Sequence, residues 1–229
     1  NTSGAHNIGI GVQAGRNLTT GSRNIAIGTN ALDVATDATD IVAVGYAALN
    51  ANTSGTSNVA LGKDALKGNT TGAQHVAIGR GALNSNTTAS NNTAVGHQAM
   101  YSNVTGTFNA ALGHEALYSN TSSNNIGIGY QAGRANTSGS NNTYVGKWSG
   151  RSGTTGNETF EASNTASNNV AVGLQALTQN SSGSENVAVG AGALVVNTTG
   201  QRNVAVGRQA LDANQTGGNN VAVGYNSLS

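Results

Sequence analysis

Asn186-Val187-Ala188-Val189-Gly190-Ala191-Gly192-Ala193-Leu194, closed by Asn197-Thr198-Thr199-Gly200, holds the architecture of the chain in miniature. It joins three local signals. Val-Ala-Val alternates with period two and is β-branched, which predicts a short strand with both valines on one face. Ala193-Leu194 is a second apolar step, three residues beyond the glycine. Asn-Thr-Thr-Gly is turn chemistry, because Asn and Gly tolerate positive φ and Asn and Thr side chains bond nearby backbone.

The same unit recurs along the chain, as in Asn58-Val59-Ala60-Leu61-Gly62, His75-Val76-Ala77-Ile78-Gly79 and Asn203-Val204-Ala205-Val206-Gly207. Its closing glycine falls at 11, 28, 45, 62, 79, 96, 113, 129, 146, 173, 190, 207 and 224. Ten of the twelve spacings are 17 residues; one is 16 and one is 27. A fixed period of this length marks a repeat architecture. Recurrent Gly, Asn and Thr clusters and paired β-branched residues oppose helix. Each 17-residue unit therefore reads as one coil of an all-β parallel β-solenoid, or β-roll, of about 13 coils. Residues 1–229 form one repeat domain, with a 10-residue insertion within 147–168.

The rest of the composition agrees. Of 229 residues only 8% are charged, against about a quarter in ordinary globular domains, and the formal net charge is +1. That excludes the basic field a nucleic-acid partner requires. No apolar run approaches the ~18 residues of a membrane span, so no membrane insertion is expected. There is no Cys, hence no disulfide and no Cys metal site.

The thin coil raises the question of assembly. Val-Ala-Val can fill the inside of a narrow roll, which leaves the Ala-Leu step seeking a second apolar surface. On that reading Leu66, Leu83, Leu117, Leu194 and Leu211 form a column facing neighbouring chains, and the chain is a homo-oligomer. The alternative is a wider solenoid in which those leucines are interior.

Asn-Asn-Val-Ala-Val-Gly, at 168–173 and 219–224, resembles the head repeat of trimeric autotransporter adhesins of the YadA type. The longer pattern, with Ala-Leu and Asn-Thr-Thr-Gly appended, is similar to repeats in phage-type tail-fibre proteins. The adhesin motif carries Ser before the first Val, where this chain has Asn58, Asn109 and Asn186. The resemblance implies a homotrimer of parallel β-rolls, extracellular, at the cell surface or on a virion, with an adhesive or host-recognition role.

Little points to catalysis, and no cofactor or metal is expected. Asp33, Asp37 and Asp40 replace a turn cassette but match no calcium loop and read as a solvated acidic turn. Glu158 and Glu161 lie in the insertion; a carboxylate pair there is the basis of an alternative tailspike-type glycan hydrolase. Another alternative, an ice- or lattice-binding solenoid, rests on the threonine column Thr53, Thr70 and Thr87. His97 and His114, one coil apart, read as surface histidines. The expected function is a non-enzymatic structural and adhesive fibre segment, partnered by itself and by a cell-surface glycan or other receptor.

Two sets of residues are candidates for ligand contact. The column after the closing glycine carries Lys63, Arg80, His97, His114, Tyr130 and Lys147, a basic and aromatic stripe suited to anionic glycans. The insertion carries Trp148, Arg151 and Phe160, and outward loops are where repeat proteins commonly place function. Deleting residues 155–164 is expected to restore the 17-residue spacing.

Overall fold

The computed structural model describes residues 3–152 and 163–229. All secondary structure elements among them are three-residue strands, and none is a helix. The chain divides into two compact units, Asn1–Asn109 and Ala110–Ser229. The first contains β1 (Ile8–Ile10), β2 (Ile25–Ile27), β3 (Val42–Val44), β4 (Val59–Leu61), β5 (Val76–Ile78) and β6 (Thr93–Val95). The second contains β7 (Ala110–Leu112), β8 (Ile126–Ile128), β9 (Thr143–Val145), β10 (Val170–Val172), β11 (Val187–Val189), β12 (Val204–Val206) and β13 (Val221–Val223).

Within each unit successive strands pair in parallel and in step with the repeat. Val59 lies opposite Val76 and Val187 opposite Val204. The 16-residue coil keeps this register, with Ala110 opposite Ile126, and so does the coil carrying the insertion, with Thr143 opposite Val170. Length variation is thus absorbed outside the strands. Each unit is a parallel β-solenoid, as the period predicts.

The inside and outside of the coil are the reverse of the assembly reading. The central Ala of the strand is fully buried (Ala60, Ala77, Ala188, Ala205), while its flanking aliphatic residues are half-exposed or exposed. Leu66, Leu83, Leu117 and Leu194 are 0% exposed and Leu211 4% within a single chain. They form the core column and do not face neighbouring chains. The reason is thickness: opposite a leucine the narrow roll has room for a methyl group but not for an isopropyl group. At Gly127, in the middle of β8, the approach is closer still, and even a Cβ there would fall 2.7 Å from Leu117 Cγ.

The leucines also adopt the left-handed conformation, with φ between 50° and 55° at Leu66, Leu83, Leu117, Leu177 and Leu194. This permits two tight turns in succession. Ala65 N–H donates to the Gly62 carbonyl and Asn69 N–H to the Leu66 carbonyl, at 3.3 and 3.1 Å. Intervening amides reach adjacent coils, Asp64 N–H back to Tyr46 and Leu66 N–H forward to Ala82. The closing glycines are needed twice over. Gly62 has φ 134°, and a Cβ on it would lie 2.7 Å from the Gly79 carbonyl carbon; Gly79 and Gly190 are held likewise.

Asparagine completes the interior. Asn69 Nδ2 donates to Asn52 Oδ1 at 2.8 Å and to the Gly72 carbonyl at 2.9 Å, and Asn86 repeats the bond to Asn69. A second ladder precedes the strands: Asn186 Oδ1 accepts the Asn203 backbone N–H, and Asn186 Nδ2 donates to Gly200. These amides satisfy turn groups that would each cost about 1–3 kcal/mol if buried alone.

Candidate functional site

The glycine at the end of each strand turns the backbone outward, so the next residue projects into solvent. Lys63, Arg80, His114, Tyr130 and Lys147 are exposed, and His97 is half-buried. In the first unit Lys63 Nζ lies 5.5 Å from the Tyr46 ring centre, and Arg80 follows one coil on.

The denser arrangement is in the second unit. His114 and Tyr130 stack with ring centres 5.3 Å apart, and Tyr130 meets Trp148 edge-on at 6.5 Å. Lys147 Nζ sits 4.2 Å from the indole and 5.8 Å from the Tyr130 ring, within cation–π range. Beneath them, Trp148 Nε1 donates to Gln131 Oε1 at 3.1 Å, and Gln131 Nε2 donates to Glu115 Oε2 at 2.9 Å. Arg134 Nε also donates to Glu115, at 2.6 Å, with its guanidinium 4.9 Å from the Tyr118 ring. Burial alone would push the Glu115 carboxyl up, but the bonds from Arg134 and Gln131 outweigh it and hold the group below its ordinary range. The result is a braced aromatic and cationic face.

Two of the insertion residues belong to the regular coil. Trp148 N–H donates to Tyr130 and Gly150 N–H to Ala176, as in any other turn. Trp148 has φ 63° and occupies the column of Gln131 and Gln175. Arg151 is not a surface contact: it is 1% exposed, with its guanidinium 5.2 Å from the Trp148 ring. Phe160, Glu158 and Glu161 lie outside the described residues. Asn164 is part of the coil, bonding through its N–H to Ala135 and through Nδ2 to Tyr144 OH at 3.2 Å. A deletion restoring the spacing must therefore spare it.

The remaining candidates are structural. Asp33 pairs with Arg16 at 3.0 Å and Asp40 with Arg23 at 2.6 Å, and no group of acidic or histidine side chains suited to a metal occurs among the described residues. The hydroxyls of Thr53 and Thr70 donate to the carbonyls of Thr70 and Thr87, each at 3.0 Å, so their protons are directed along the stack. His75, unlike the other histidines, is buried in the asparagine ladder. The bracing set of Glu115, Tyr118, Gln131 and Arg134 was not singled out from sequence. Its signal is register: the first and third fall two residues after their glycines, the other two five residues after.

Among the described residues no helix is long and apolar enough to cross a membrane. Comparison with protein-family models, curated proteins and solved structures finds no match.

Proposed function

We propose that this chain is a non-enzymatic structural and adhesive fibre segment, extracellular or on a virion, that works as a homotrimer and presents a repeated surface for attachment. The observation that carries the reading is the outward aliphatic face of the strands. Ile25 and Ile27, Val42 and Val44, Val59 and Leu61, and Val76 and Ile78 line it in the first unit without one charged residue, half-exposed or exposed. The strands β10 to β12 repeat it in the second. Soluble monomers rarely leave continuous apolar surface of this kind open. A second copy is the occupant that matches it, because every copy offers the same aliphatic columns at the same spacing. The number three comes from the resemblance to trimeric adhesin heads.

In this assembly the valines, and not the leucines, meet the neighbouring chains, while the turn column with His114, Tyr130, Lys147 and Trp148 stays outside. Light scattering on the purified chain tests the reading. A threefold mass is expected, reduced to one chain by Val187→Asp with Val204→Asp, since each would set an unpaired charge in an apolar contact. A folded single chain at micromolar concentration overturns the trimer.

A further inference from the structure

We propose that the notch over Gly192 in the second unit is a binding site for a carboxylate-bearing sugar residue. The notch is a local failure of the repeat. Two residues after the closing glycine, neighbouring coils carry Gln175 and Gln209, at φ 58° and 57°, whereas the coil of β11 carries Gly192 at φ 70°. One residue after it, they carry Leu174 and Arg208, with Ala191 between. The missing side chains leave a hollow of about 340 Å³, walled by Leu174, Gln175, Val195, Arg208 and Gln209. A Cβ added to Gly192 would meet only Gln209 Cγ, at 3.5 Å.

The first unit supplies an internal control. Gly81 stands in the same column, at φ 66°, and there the chain fills its own gap: the Tyr101 ring would lie 3.3 Å from a Cβ on that glycine. The position equivalent to Tyr101 beside Gly192 is Asp212, too short to cover it. One gap is plugged and the other stays open.

The lining fixes the chemistry of an occupant. Gln175 and Gln209 lie two coils apart, about 10 Å between backbones, a span suited to one pyranose ring. Each amide offers a donor and an acceptor, which is what a sugar hydroxyl requires. Leu174 and Val195 give an apolar wall for the C–H face of the ring. Arg208, exposed and held 5.7 Å from the Tyr225 ring, offers a planar fork of donors that matches a carboxylate. A single guanidinium matches one negative charge, which suits a carboxylate sugar better than a dianionic phosphate ester. The hollow is near the lower end of small-ligand sites, ~300 Å³ and above. The inference rests on the attachment reading for its biological setting only.

Saturation-transfer NMR and calorimetry on the full chain test it, with D-glucuronate and N-acetylneuraminate as probes and D-glucose and acetate as comparisons. Binding of an acidic sugar with Kd on the order of 1 mM is expected, with saturation strongest on its ring C–H protons. Gly192→Gln gives the coil the residue that both neighbours carry at nearly the same φ, and it should abolish binding with no change in the thermal melt. Arg208→Gln should weaken the acidic sugars at least about tenfold. Should Gly192→Gln alter the fold, Ala191→Arg blocks the same hollow and serves instead. Equal binding of glucose, equal binding of acetate, or binding unaffected by the filled notch overturns the proposal. Cell attachment that persists without sugar binding removes the notch and leaves the attachment reading; sugar binding without cell attachment does the opposite.

Discussion

Two neighbourhoods of the second unit solve one packing problem with different residues. Around β11 and β12 the core is regular, with Ala188 and Ala205 from the strands facing the Leu194 and Leu211 column. Around β9 the strand carries Tyr144, fully buried, and the leucine column is interrupted by Gly133 and Gly150. A Cβ on Gly150 would lie 2.8 Å from Tyr144 Cζ, and one on Gly133 2.9 Å from Cε2. One ring therefore fills the space of two leucines, and Asn164 satisfies its hydroxyl. Burial pushes the phenol pKa far upward, so the ring stays neutral. The contrast teaches that the fold demands filled volume over adjacent coils, and not a fixed residue at each column.

The largest test is to empty the irregular core. Tyr144→Ala should cost about 3–5 kcal/mol in a denaturation experiment, the range for deleting a buried aromatic. Adding Gly133→Leu and Gly150→Leu should restore most of it, because both glycines have φ of 60° and 55°, close to the leucines elsewhere. If the triple variant is no better than Tyr144→Ala, volume matching is not the rule.

The regular region should be limited by backbone contact. Gly190→Val is expected to cost about 3 kcal/mol or more, through both its φ of 135° and collision with the Gly207 backbone. Gly224 shares the φ, at 124°, but a Cβ there would meet nothing within 4 Å. Gly224→Val should cost only about 1 kcal/mol. Equal losses in chemical denaturation would assign the whole effect to φ.

A smaller effect concerns His75, another irregular residue. Its Nδ1 accepts the Asn92 N–H at 3.2 Å, so Nε2 carries the proton and donates to Ala89 at 2.6 Å. The neutral imidazole thus copies the two bonds of a ladder asparagine. Burial lowers its pKa, and the two backbone bonds only partly oppose this. A histidine depressed in the folded state costs nothing above its unfolded value of ~6.5 and loses stability as pH falls below it, until the folded pKa is reached. The chain should lose stability through this group as pH falls from 7 towards 5. His75→Asn should flatten that part of the profile, measured by melting across the pH range. The smallest effect, within about 1 kcal/mol, is expected for deleting residues 153–162, because the flanking coil bonds remain. A large loss would show that the insertion supports Tyr144.

The spacing of the glycines carried the coil count and register, because a parallel stack repeats its hydrogen bonds once per coil. Inside and outside were not legible. Alternation says that two valines share a face but not which face, and the usual rule, larger aliphatics inward, fails where the roll is too thin. The left-handed leucines were hidden for a related reason: positive φ is read from Gly and Asn, and Leu66 carries no such sign. The Lys63 and Tyr130 column was legible because only solvent tolerates its variety. Trp148 was misplaced in a loop because the extra length was counted from Lys147, whereas the coil holds its pattern through Arg151.

The asparagine ladders have an electrical consequence. Backbone amides between coils alternate in direction, as Asp64 and Leu66 do, and their dipoles largely cancel. The side-chain amides of the ladder through Asn69 do not. Asn69 donates to Asn52, Asn86 to Asn69 and Asn103 to Asn86, always toward the earlier coil. In the second unit Asn197 donates to Asn180 and Asn214 to Asn197 in the same sense. Like peptide units aligned in a helix, such amides add head to tail and polarise one another. Within each unit that ladder is an electret with a positive and a negative pole, set by the order of synthesis. An ion approaching either unit meets opposite potentials at the two ends of its ladder, in a protein whose side chains carry almost no net charge.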